Sequence, residues 1–259
     1  MTHERAGRLV VGLGLAMAWA SLGRVLRVEG LPYAPFGLDA LPMNAGIGGV
    51  ASVVFVAAWL AFVRDWRADR AAGALVTLLA LGAQAQRWQA PADTGVNGAT
   101  MLPGAALFAW WVARRTARDP LAREERGIEA ACGLVAACYT VAVASKLYMS
   151  GLGWASPGNI GLQIATQAYL APEPIQSLRL AAASSGLLCG ALGVGTILIE
   201  GGAILFIFPA IRAPIAALLV AMHVGIAVLM GLHHYDWMFT AVGWALVSAA
   251  SRRDRPGAG

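Results

Sequence analysis

Charge is scarce in this chain: 13% of its 259 residues are Asp, Glu, Lys or Arg, against roughly 25% in a water-soluble domain. Lysine is almost missing, with Lys146 standing alone against 18 arginines. Cysteine is nearly as rare. Cys132, Cys138 and Cys189 are odd in number, lie inside apolar runs and form no CxxC pair. That argues against a disulfide framework or a thiolate metal cluster and leaves them as small core residues. There is no P-loop, no GxGxxG after a strand and no GxSxG elbow in its required setting. The net charge of +5 does not point to nucleic acid either, because the arginines sit in short clusters between apolar segments and form no single basic face.

What is abundant is hydrocarbon: 58% of the residues are hydrophobic and the mean hydropathy is +0.64. A bilayer crossing takes roughly 20 apolar residues, and apolar runs fill the chain from Leu9 to Ala250. They predict spans at about 9–26, 43–63, 71–88, 98–113, 128–150, 186–208, 214–232 and 236–250. No run shows the two-residue alternation of a barrel strand, so the expected fold is all-α. The expectation is a polytopic bundle of about eight helices, a single transmembrane domain over 1–259 with almost no soluble part. Arg5 and Arg8 ahead of an apolar run resemble the start of a signal peptide. The run continues to Leu26 without an A-x-A site before polar sequence, which predicts a retained helix.

Arginine placement tests the span count, because cytoplasmic loops collect positive charge. With the N-terminus inside, 14 arginines fall on the cytoplasmic side, and Arg24, Arg27, Arg87 and Arg179 are left outside. The reading is a multi-pass protein of the inner (plasma) membrane with both termini cytoplasmic. Two outer loops are long, 27–42 and 151–185; the prolines of the second bound a short interfacial helix around 160–170. Gly186 and Gly190 form a GxxxG pair suited to close helix approach.

Ionisable groups within a span cost at least ~2.5–3.5 kcal/mol at mid-helix, so each is a candidate site residue. Lys146 lies near the outer end of the fifth span. It is either a snorkelling lysine or an amine in a dry cavity that can act as a base, a role arginine cannot fill. Glu200, in the sixth span, either pairs structurally with a cation or takes part in proton chemistry; the two glycines after it leave room for close backbone contact. His223, at the centre of the seventh, is either a hydrogen-bonded core residue or functional. His233, His234 and Asp236 cluster at the outer end of the same helix, where interfacial anchoring is favoured over metal binding. Arg24, Gln84, Gln86, Arg87 and Asn97 add polar groups on that side, so one polar cavity opening outward is expected.

Three stretches carry a family resemblance: SKLYMSGLGW at 145–154, the run from Ile199 to Gly231, and GVNGATMLPGAALF at 95–108. They resemble the HTTM family, the membrane domain shared with vitamin K-dependent gamma-glutamyl carboxylase, over the last two thirds of the chain. The resemblance implies that Lys146 is a base acting on a reduced, vitamin K-like quinone, and that His223 lines the same cavity. It makes Lys146, Glu200 and His223 the candidate catalytic residues. Asn97, Trp154 and His234 are the candidates for binding the lipophilic substrate or cofactor; no metal is implied. Two departures matter: Gly98 stands where the family has a histidine, and the large lumenal domain has no counterpart. Peptide carboxylation is therefore not expected, and what carries over is a quinone-accessible cavity with a candidate base. Two other classes stay open: a proton-coupled transporter in which Glu200 and His223 relay protons, and a non-catalytic membrane partner or maturation factor.

Overall fold

The computed structural model describes residues 3–23, 45–89, 101–232 and 234–253. Among these the chain is helical throughout, without strands. Eight longer helices occupy the eight apolar runs: α1 (His3–Gly23), α2 (Ala45–Val63), α3 (Ala68–Gln89), α4 (Met101–Thr116), α5 (Pro120–Ser150), α8 (Gly186–Gly202), α9 (Arg212–Met230) and α10 (Tyr235–Arg253). Two short ones, α6 (Pro157–Ala168) and α7 (Ile175–Ser184), fill the segment expected to hold one interfacial helix. Pro157 follows an Ser156 cap whose hydroxyl accepts from the Asn159 N–H, which sets the start of α6.

Three segments are long and apolar enough to cross a bilayer: 122–155, 186–207 and 212–230. Only 22% of the apolar window of 186–207 and 28% of that of 212–230 is buried inside the molecule. In water such surfaces would be a large exposed apolar patch, whereas in lipid they cost nothing. This is the organisation of a membrane protein.

Small residues decide the closest helix contacts. α1 lies directly along α10: a Cβ on Gly243 would come within 2.6 Å of the Val11 backbone nitrogen, and one on Gly7 within 2.7 Å of the Val247 nitrogen. α4 and α5 form a hairpin opened by Asp119, whose carboxylate caps the Ala122 N–H at 2.8 Å. At this end of the bundle, buried Arg8 of α1 pairs with Glu4, with Asp65 at 2.9 Å, and with Glu124 at 3.7 Å. Arg114 pairs with Glu124 and with Asp69, and its guanidinium lies over the Trp110 ring. Arg212 donates to the carbonyls of Phe206 and Ile207 and to Ser248 near the end of α10. Arg8, Arg114 and Arg212 therefore gather at one end of the bundle. Lys146, Arg179 and His234 belong to helix ends and connections at the other.

Candidate functional site

Tyr139, Val143 and Lys146 are spaced four and three residues apart, so they share the face of α5 that continues from Cys132, Val135 and Ala136. That face is buried as far as Val143. Lys146 is its next member, and it points into the bundle. On α8, Cys189, Gly193 and Glu200 form the buried stripe. The two stripes meet: the Lys146 Nζ donates to Glu200 Oε1 at 2.6 Å and contacts Oε2 as well. The Trp154 ring lies 4.9 Å from the same ammonium, a cation–π contact. Trp154 is held there by a 3₁₀ turn, Gly151–Ala155, that begins at a left-handed Gly151 and is pinned by Asn159 Nδ2 donating to the Trp154 carbonyl at 2.6 Å.

From the sequence, Lys146 belongs at the outer surface and Glu200 well inside its span. The structure removes the conflict through the register of α8. Gly193 lies against the backbone of Ala155, where an added Cβ would come within 2.6–3.0 Å of it. The first two turns of α8 thus rise past the end of α5, flanked by α6 and α7 through Ile160, Ile164, Ala182 and Cys189. Residues seven past Gly193 on α8 and nine before Ala155 on the α5 side then stand level, and these are Glu200 and Lys146. The GxxxG glycines play a lesser part: a Cβ on Gly190 would meet only Pro157, at 3.4 Å. Nor do Gly201 and Gly202 give close backbone contact, since nothing lies nearer than 3.9 Å to either added Cβ; at Gly202 the α-helix tightens into a 3₁₀ turn.

His223 lies on the buried stripe of α9 with Ala216, Leu219 and Ala227. Its Nε2 shares a hydrogen bond of 2.8 Å with the Tyr139 hydroxyl. Its Nδ1 is buried and has no hydrogen-bond partner among the described residues. The rings of His234 and Trp237 stand 5.8 and 6.4 Å from the His223 ring, and Trp237 meets Tyr139 edge-on at 5.0 Å. His234 does not continue α9 as the sequence suggested. The helix stops at Met230 because Gly231 turns left-handed at φ 64, and His234 sits in the connection to α10.

Lys146, Glu200 and Trp154 thus form one cluster, and Tyr139, His223, His234 and Trp237 a second. Both are strung along α5, with Tyr139 and Lys146 ~10.5 Å apart along the axis. Tyr139 and Trp237 were missed from sequence, although Tyr139, seven residues before Lys146, is on its face. Asn97, Arg24 and His233 lie outside the described residues, as do the side chains of Gln84, Gln86 and Arg87. Among the described residues no group of three or more His, Cys, Asp or Glu stands close enough to hold a metal ion.

Removing the Tyr139 hydroxyl leaves the His223 Nε2 buried without a partner. Tyr139→Phe is therefore expected to cost about 1–3 kcal/mol in thermal unfolding in detergent, and an unchanged unfolding temperature would contradict the pairing. A clamped acid–amine pair between two helices, with a tyrosine–histidine pair farther along α5, brings together groups that can exchange a proton. No protein-family model, curated protein or solved structure matches the chain.

Proposed function

We propose that this protein is an HTTM-like, carboxylase-related enzyme of the inner membrane that acts on a lipophilic, quinol-like substrate with Lys146 as base. Its eight longer helices cross the bilayer with both termini cytoplasmic, and the Lys146 site opens toward the outside. The observation that carries the reading is the contact of the chain's sole lysine with Glu200, buried on an apolar helix and covered by Trp154. A lone buried charge is strongly disfavoured, but a proton passed from Lys146 to Glu200 leaves a neutral amine beside a neutral acid. The amine then takes the hydroxyl proton of a bound quinol, and the quinolate formed is stabilised by the new ammonium. Trp154 and Trp237 offer ring faces for a flat head group, and the His223 Nδ1, without a partner among the described residues, offers it a hydrogen bond.

The test is oxidation of an isoprenoid naphthoquinol by dioxygen, which gives the quinone and hydrogen peroxide once the quinolate forms, catalysed by the purified chain in nanodiscs. Wild type is expected to exceed empty nanodiscs, and Lys146→Gln to lose about 10²-fold or more, the usual contribution of a general base. A full rate in Lys146→Gln would refute the assignment. An ion pair joining α5 to α8 also suits a proton-coupled carrier. Solute-driven proton uptake into proteoliposomes, abolished by Glu200→Gln and present without quinol turnover, would favour that second reading.

A further inference from the structure

A second polar site lies in the cap formed by α6 and α7, away from the Lys146 pair. An open cavity of about 470 Å³ separates these helices from the last turn of α9, with Gln167, Leu170, Ile175, Leu178, Arg179 and Tyr235 on its walls. This is the size range of sites that take small organic ligands.

Arg179 is only 7% exposed. Its Nε donates to the Val228 carbonyl at 2.8 Å, its Nη1 to the Gln167 carbonyl at 3.0 Å and its Nη2 to the Ala227 carbonyl at 3.4 Å. These bonds clamp α7 to the C-terminal ends of α6 and α9. Gly231 completes the clamp: the guanidinium stands 3.2 Å from where its Cβ would be, so no larger residue fits without displacing it.

The clamp accounts for three of the five guanidinium N–H groups and leaves one on each terminal nitrogen. It does not account for the charge. Among the described residues no carboxylate lies within ion-pair distance of Arg179, so only the partial negative charge of helix-end carbonyls offsets a buried full cation. A rigidly held guanidinium with donors on both terminal nitrogens matches the two oxygens of a phosphate. Apart from Gln167 and Tyr235 the remaining wall is apolar, and Leu170 and Leu178 are exposed at its rim. A free inorganic anion would leave that wall unused.

We infer that the cavity binds the headgroup of an anionic phospholipid, with Arg179 on the phosphate and Leu170, Ile175 and Leu178 against the glycerol and the first methylenes of its chains. The measurement is thermal unfolding of the full chain in detergent, titrated separately with phosphatidylglycerol, phosphatidylcholine and inorganic phosphate. Phosphatidylglycerol is expected to raise the unfolding temperature saturably, and the other two are not. Because Arg179→Gln also breaks the clamp and can fail to fold, the deciding variant is Ala171→Trp. It fills the cavity from another wall and leaves all three carbonyl bonds in place. Its apparent affinity for phosphatidylglycerol is expected to fall at least tenfold. An equal shift with phosphatidylcholine or phosphate, or wild-type affinity in Ala171→Trp, would overturn the site and leave Arg179 as a clamp alone.

Discussion

Glu200→Leu is expected to destabilise the protein by about 3–5 kcal/mol, the usual cost of stranding one member of a buried ion pair. The Glu200 side chain is 8% exposed and that of Lys146 23%, so the access left to the amine puts the effect toward the lower end of that range. Among the described residues the ammonium would keep the Trp154 ring alone, and a cation–π contact supplies about 0.5–2 kcal/mol, too little to replace a charged, doubly contacted carboxylate. Lys146→Met should be similarly costly, because it leaves a carboxylate deeper in the bundle. The double change Lys146→Met/Glu200→Leu is expected to recover most of the loss, since two apolar side chains of similar volume need no desolvation of charge. Unfolding followed by helical circular dichroism in detergent gives the full double-mutant cycle. If Glu200→Leu is as stable as wild type, or the double variant is as unstable as the two losses added together, the pair does not hold α5 to α8. The double variant also separates structure from chemistry: it should fold well and turn over no quinol.

The second large effect is expected at Gly193. A Cβ there would sit 2.6 Å from the Ala155 carbonyl oxygen and 2.8 Å from its Cα, and backbone cannot rotate away as a side chain can. Gly193→Ala must push α8 off the turn that carries Trp154, an overpacking change of about 1–3 kcal/mol. Gly190→Ala is the matched control, because its Cβ would meet the Pro157 ring at an ordinary 3.4 Å. The pair of variants should therefore differ clearly in unfolding temperature, and Gly193→Ala should also slow quinol turnover by moving the indole from Lys146. Equal stability of the two would mean that α8 does not rest on the Ala155 backbone, and the level placement of Glu200 and Lys146 would lose its cause.

Much of this is legible in the sequence. Hydropathy and helical period act over a few turns, so the eight apolar runs and their helical nature are local properties. So is the candidacy of Lys146, Glu200 and His223, since an ionisable residue in an apolar helix stands out by its surroundings alone. The clustering of arginine in alternate connections is likewise a sequence property, and the structure draws Arg8, Arg114 and Arg212 to one end.

What the sequence could not decide was which of these residues touch. Lys146 and Glu200 are separated by 54 positions and their meeting depends on how far α8 slides along α5, which the contact between Gly193 and Ala155 sets. The same holds for Tyr139 and His223, 84 positions apart, and for Arg179, whose partners are carbonyls and leave no mark in side-chain composition. The 151–185 segment reads as an outer loop with one short interfacial helix; the structure has two, α6 and α7, held by burying Ile160, Ile164 and Ala182 against Cys189 of α8. Residue by residue, then, the sequence determined the helices and the unusual groups on them. Only the tertiary structure decided the pairings, because helix register is set by contacts between segments far apart in the chain.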